Sequence, residues 1–177
     1  MCAIRWTAAL AVFALSTALA AQGPPEPKTQ REEMKKLEWL VGKWKGTGWM
    51  DMGPGKRATF DQTEKVESRA GGLVLVIEGE GRSEGKVVHS ALAVASFDAA
   101  AKGFRFRAYD GYGRYLDLEA KVGEGTFEWG YREPQRGMQM RYTIRRNEKG
   151  EWFEEGEGSM DGKTWRKFFE MRLERER

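Results

Sequence analysis

The 177-residue sequence holds one cysteine, Cys2, and one histidine, His89. With Cys2 at the extreme start, neither a disulfide nor a thiolate metal site can be built within the chain, so the core alone must hold the fold. A domain near 150 residues buries about 68 to 70% of the surface its unfolded chain exposes, which is sufficient. A lone histidine cannot assemble a zinc site, which takes three or four ligands, and no Asp or Glu cluster stands at ligand spacing. No Gly-x-Ser-x-Gly elbow is present, and nucleophilic catalysis has no foothold. The glycine-rich pieces GTGWM (46–50) and EGEGR (78–82) lack the strand-to-helix setting in which glycines cradle phosphate. Charge of one sign is missing too. Lys and Arg number 30 against 27 Asp and Glu, a net +3, and the two signs are interspersed, which describes a solvated surface and not a nucleic-acid footprint.

Long apolar runs are likewise absent. The longest, Ala8 to Leu15, follows Arg5 and precedes the small-residue site Ala18-Leu19-Ala20. It is too short to span a bilayer, which takes about 20 apolar residues, but it has the layout of a secretory signal peptide over residues 1–21. The expectation is a periplasmic or secreted protein with no membrane span after signal cleavage. Residues 22–28 contain three prolines and read as an extended linker. Residues 29–177 then form one domain.

What is present is regular punctuation. Thr29-Gln30-Arg31-Glu32 has capping-box spacing, and Met34, Leu37 and Val41 form a stripe, with Leu40 beside it, that predicts a short helix over 29–41. Glu32 and Lys36 sit four apart on its other side. Gly42 supplies a left-handed stop. The stretch Leu37–Gly48 (LEWLVGKWKGTG) thus ends a helix and launches a strand carrying Gly42-x-Trp44. From Lys43 onward nine turn signals, from Gly53-Pro54-Gly55 to Asp161-Gly162, separate ten predicted strands of period two. The connections are short, so neighbours pair antiparallel, and an all-β, up-and-down barrel of about ten strands follows, because closure removes the exposed edges. An even strand count brings the last strand beside the first. It predicts that Arg172 or Arg175 stacks on Trp44, so Gly42, Trp44 and Arg172 become the closure set, with Arg175 the other candidate.

Strand alternation nominates the interior. If Asp161-Gly162 is a two-residue hairpin, Gly158 opposes Trp165, Gly156 opposes Lys167, Glu154 opposes Phe169 and Trp152 opposes Met171. One face then carries Trp152, Trp165, Phe169, Met171 and Leu173, with Glu154 and Lys167 as a neutralising pair. In the second strand Phe60, Gln62, Glu64 and Val66 face inward. Trp49, Phe60, Gln62, Glu64, Trp152, Glu154, Trp165, Lys167 and Phe169 are the expected lining of a site for a small hydrophobic molecule. Phe168 is expected outside. His89, on VVHSALAVASF, shares its face with Val87, Ala91, Ala93, Ala95 and Phe97. It can serve as a haem ligand or a general base, or be an ordinary strand residue.

Leu37–Gly48 with its Gly-x-Trp, Ser96-Phe97-Asp98, Tyr109-Asp110-Gly111 and Ser159-x-Asp161-Gly162-x-x-Trp165 resemble the bacterial domain of unknown function 1579 family, over the whole domain from Met34. That family is similar to lipocalin-like and nitrobindin-like barrels, which implies the barrel fold and a structural role for Gly42 and Trp44. Nitrobindin-like proteins bind haem b through a histidine near the C-terminus. The last strand here, WRKFFEMRLERER, has none, so the expectation is no cofactor, with haem b as the alternative. Three further readings stay open beside small-molecule binding without chemistry: a haem or nitric-oxide protein; a cofactor-free isomerase-type enzyme with Glu64 or Glu154 as base; and an envelope structural or interaction protein with a filled core. Oligomeric state is not legible.

Overall fold

The computed structural model describes residues 27–177; the expected signal peptide and most of the linker lie outside them. The first element is a short α-helix, α1 (Lys28–Met34), which tightens into a 3-10 helix over Lys35–Leu40. Ten strands follow: β1 (Gly42–Gly53), β2 (Lys56–Arg69), β3 (Val74–Ser83), β4 (Lys86–Asp98), β5 (Gly103–Asp110), β6 (Tyr115–Gly123), β7 (Thr126–Arg132), β8 (Gln139–Arg146), β9 (Trp152–Ser159) and β10 (Arg166–Arg175). All neighbours pair antiparallel, and β10 returns to β1, closing the barrel. Closure removes the outer sheet edges, the usual liability of an all-β chain, and leaves edges free only where β6 and β7 part toward one end. No helix among the described residues is long and apolar enough to cross a membrane.

The helical segment departs from its expected caps. α1 begins one residue earlier, at Lys28 after Pro27, with no side-chain cap, so Thr29 is inside the helix. The pairs on its surface are Lys35 with Glu32 and Lys36 with Glu33, at three-residue spacing. Val41 is already extended, and Gly42, at φ +142°, opens β1 instead of stopping a helix. That φ is one L side chains rarely adopt, and a Cβ there would also have to displace the Arg175 guanidinium, so the position favours glycine.

Met34, Leu37 and Leu40 are buried and join one core cluster with Trp44, Val66, Leu75, Trp152 and Leu173. These residues lie where β1 and β9 begin and β2 and β10 end, so the helical segment plugs that end of the barrel. Trp44 Nε1 donates to Leu40 O at 2.8 Å. The Arg175 guanidinium lies 4.2 Å over the Trp44 ring. It is Arg175, not Arg172, that closes this end: Arg175 pairs opposite Trp44, whereas Arg172 pairs with Thr47 on the outer face and lies over Phe153.

Among the described residues no helix covers the other end. Its rim exposes Met50, Met52, Val87, Val88, Tyr109, Tyr112, Tyr115 and Met160. One ladder is short: β6 and β7 pair only from Ala120↔Trp129 to Gly123↔Thr126, near the plugged end. Toward the open end β6 keeps only β5 as a neighbour, and β7 only β8.

Candidate functional site

Period-two alternation sends every second side chain inward. In β1 these are Trp44, Gly46 and Gly48; in β2 Phe60, Gln62, Glu64 and Val66; in β9 Trp152, Glu154, Gly156 and Gly158; in β10 Phe169, Met171 and Leu173. Six of the nine expected lining residues, Phe60, Gln62, Glu64, Trp152, Glu154 and Phe169, therefore face the interior.

The other three do not. Trp49 has opposite parity to Trp44 on a strand that runs without a bulge between them; its ring lies outside, under Arg57 at 3.4 Å. Trp165 is not in a strand. The last hairpin has a wider turn than two residues, because Asp161 Oδ1 accepts from Lys163 N, Thr164 N and Ser159 Oγ, which holds residues 160–165 as a loop. Trp165 lies in it against Arg141, 4.2 Å away. Lys167 follows from that shifted register: it opposes Glu157 on the outer face, and a bulge separates it from Phe169. It pairs with Glu155 and Glu170, not with Glu154. The bulge also turns Phe168 inward, to pack edge-on against Tyr142 at 5.7 Å. A second bulge, at Val88, takes Val87 off the inward face, while His89 stays on it opposite Gly81.

Three polar side chains remain in the interior wall between β2 and β9. Gln62 Nε2 donates to Glu64 Oε1 at 2.8 Å, and Trp152 Nε1 donates to Glu154 Oε2 at 3.1 Å. The residues Gln62, Glu64 and Glu154 are 3%, 9% and 7% exposed. Among the described residues no Lys, Arg or His acts on either carboxyl. Burial pushes Glu64 up to about 8, helped by the nearby charge of Glu154 and opposed by the Gln62 bond; burial pushes Glu154 up to about 7 against its Trp152 bond. Two acids thus change charge near neutral pH inside the barrel. Glu64 lies across Gly79, where a Cβ would come within 2.5 Å of Oε1, and Gln62 lies across Gly81, within 2.8 Å. The EGEG run of β3 is a floor for these two side chains.

Around the rest of the wall the lining is uneven. Phe60 stacks on Phe169 at 5.9 Å, Phe169 meets Tyr142 at 6.0 Å, Tyr142 stacks on Trp129 at 4.2 Å, and Trp129 meets Phe106 at 5.0 Å. Gly156 makes room for this band: a Cβ there would sit 3.0 Å from Phe168, Phe169 and Tyr142. The complementary arc, β3 to β5, presents small inward residues at Gly79, Gly81, Ala91, Ala93 and Ala108, with Ile77 opposite Ala93 and His89 opposite Gly81. Trp129, Tyr142, Phe60 and Ala108 face inward yet remain only partly buried. The interior is consequently not closed over at that height.

The mouth carries its own polar group. Arg114 Nε bonds Asp110 Oδ2 at 2.5 Å, and His89 stands close enough that both their charges act on it. The protein around its ring lowers the His89 pKa. Met171 lies on β10, opposite Glu154 and away from His89 on β4. Among the described residues no group of three His, Cys, Asp or Glu side chains is arranged to hold a metal ion. Two surface depressions, of about 520 Å³ beside Gln30 and the β4–β5 turn and about 400 Å³ over β1 to β4, are lined largely by outward side chains.

The fold and its lining define a closed ten-stranded antiparallel barrel, plugged at one end and open at the other. Residues 27–175 match the family model described as protein of unknown function (DUF1579), and the chain belongs to that family. No curated protein matches it. Among solved structures it is similar to Rv2717c from M. tuberculosis, with a TM-score of 0.57 and 15% identity over 81% of this chain and 97% of that one. It is also similar to a DUF3598-family protein of unknown function from Nostoc punctiforme PCC 73102 (NPUN_R4044), with a TM-score of 0.51 and 12% identity over 79% of this chain and 49% of that one. At these identities the likeness shows the fold alone.

The sequence reading missed Trp129, Tyr142 and Phe106 as lining and Gly79 as a floor. The alternation of Phe104 and Phe106 in β5, and of Phe127, Trp129 and Tyr131 in β7, already placed the first and third on inward rows. Tyr142 and Gly79 needed the register with their neighbours.

Proposed function

We propose that this is an exported, periplasmic or secreted barrel that binds a small, mostly apolar molecule in its interior and does no chemistry on it. The observation that carries this reading is the uneven wall. An aromatic band of Phe60, Phe169, Tyr142 and Trp129 faces an arc where Gly79, Gly81, Ala91, Ala93 and Ala108 leave the wall thin, and Gln62, Glu64 and Glu154 supply the few polar groups that fix a ligand's orientation. The apolar rim at the open end favours uptake of a hydrophobic guest from that side. Native mass spectrometry of the protein purified without added ligand tests this. A reproducible extra mass, lost when Ala108→Phe fills the small-residue arc, supports it. A clean apo mass together with no binding of apolar fluorescent dyes overturns it in favour of a filled structural barrel.

The raised carboxyl pKa values favour a second reading, cofactor-free proton transfer with Glu64 or Glu154 as general base, since a base works best with a pKa near the working pH. Its signature is deuterium exchange at carbon in an apolar carbonyl compound, abolished by Glu64→Gln or Glu154→Gln.

A further inference from the structure

Glu64 and Glu154 set the strongest constraint on what the interior accepts. Each carboxyl receives one donor, from Gln62 and Trp152, and these bonds occupy Glu64 Oε1 and Glu154 Oε2. Glu64 Oε2 and Glu154 Oε1 accept from no protein donor among the described residues, although both side chains are more than nine-tenths buried. Neither oxygen is among the fully enclosed polar atoms without a partner, where Trp39 Nε1 stands, elsewhere among the described residues. The two oxygens are therefore open to a donor from a small molecule, Glu64 bordering also the depression over β1 to β4. A buried carboxylate with neither a cation nor a full set of donors is costly and must be neutralised by a proton or by a positive group. Among the described residues no positive group reaches them: Lys167 is outside, paired with Glu155 and Glu170, and Arg114 is held by Asp110 at the mouth.

The wall facing this pair adds a second, independent observation. The rings of Phe60, Phe169, Tyr142 and Trp129 are linked in one band, and aromatic faces attract cations, more strongly when water is excluded. The same band offers an anion only neutral donors, the Tyr142 hydroxyl and the Trp129 indole N–H, and no positive charge. Burial and the neighbouring Tyr131 and Glu154 raise the Tyr142 pKa, so its hydroxyl stays neutral.

We infer that the interior ligand is an organic cation, an apolar or aromatic amine whose ammonium occupies the open oxygens of Glu64 and Glu154 and whose body lies on the aromatic band. This rests on the ligand-binding reading and narrows it to one chemical class. Binding exchanges a carboxyl proton for the ammonium charge, and the proton leaves to solvent.

Three probes with one ring system separate the possibilities: 2-naphthylmethylamine, 2-naphthalenemethanol and 2-naphthoate, titrated by calorimetry into the purified protein at pH 8. The amine should bind at least tenfold tighter than the alcohol. Glu64→Gln and Glu154→Gln, which keep shape and remove the charge, should each erase most of that margin. If amine and alcohol bind equally, or the naphthoate binds best, the cation inference is overturned and the ligand-binding barrel stands. Should none of the three bind, both readings are overturned for ligands of this size.

Discussion

The Arg175 guanidinium covers the Trp44 indole at 4.2 Å and from the same position donates to the carbonyls of Trp39, at 2.7 Å, and Val41. Trp44 Nε1 takes the carbonyl between them, that of Leu40. Carbonyls at a helix end have no partner of their own, and two side chains from opposite ends of the barrel sequence satisfy three in a row. Arg175→Ala should cost about 1–3 kcal/mol, as expected for hydrogen bonds to a charged group. Amide exchange should rise over residues 34–41 with the strands unaffected; unchanged exchange there would mean that apolar burial alone seats the plug.

Stability should fall as pH rises through neutrality. Glu64 and Glu154 have folded pKa values near 8 and 7, above their ordinary 4.5. Between 4.5 and 8 the folded state therefore holds more protons than the unfolded state, and the slope of unfolding free energy with pH is negative. Each unit of raised pKa is worth about 1.4 kcal/mol, so the loss across this window amounts to a few kcal/mol. Urea midpoints at pH 5.5 and 8.5 measure it. Glu64→Gln and Glu154→Gln should flatten the difference, and a wild-type midpoint that rises with pH would contradict the burial of these acids.

Gly156 and Trp165 form a contrasting pair. Adding a methyl group at Gly156 pushes into three aromatic side chains at once, and overpacking of this kind costs about 1–3 kcal/mol. Trp165→Ala removes a ring lying against Arg141 outside the barrel, worth about 1 kcal/mol or less. Chemical denaturation should therefore rank Gly156→Ala as the more damaging change, with altered tryptophan fluorescence reporting the shift of the Trp129–Tyr142 stack.

Asp161→Ala should lower the melting temperature and loosen the β9–β10 turn. Backbone amides of Lys163 and Thr164 and the Ser159 hydroxyl hold the Asp161 carboxyl well below its usual pKa, so wild-type stability should already be lost to some extent at strongly acidic pH as this group protonates. The variant should lack that part of the acid dependence. Equal acid curves for both proteins would show that the turn bonds add nothing.

The barrel was legible because its signals are local. Turn residues and alternation need no knowledge of neighbours, which is why Phe60, Gln62 and Glu64 fell on the correct face of β2. The errors came where an interval of two breaks or where a turn borrows extra residues. Asp161-Gly162 resembles a two-residue turn, but the carboxyl gathers the following residues into a loop, and the resulting shift with the bulge after Lys167 exchanges Lys167 for Phe168 on the inner face. Trp49 is a different kind of miss. Counted in unbroken twos from Trp44 it falls on the outer face, where Arg57 covers its half-buried ring. The pairing of Glu64 with Gly79 and of Gln62 with Gly81 depends on registry between strands, which no single strand encodes.

The ladder between β6 and β7 stops at Ala120 and Trp129. A cylinder built this way behaves as a clasp and not as a ring. Spreading its two strands above that point breaks no backbone hydrogen bond between them and widens the interior sideways, directly over Trp129, while parting any other neighbouring pair means giving up a longer run of bonds.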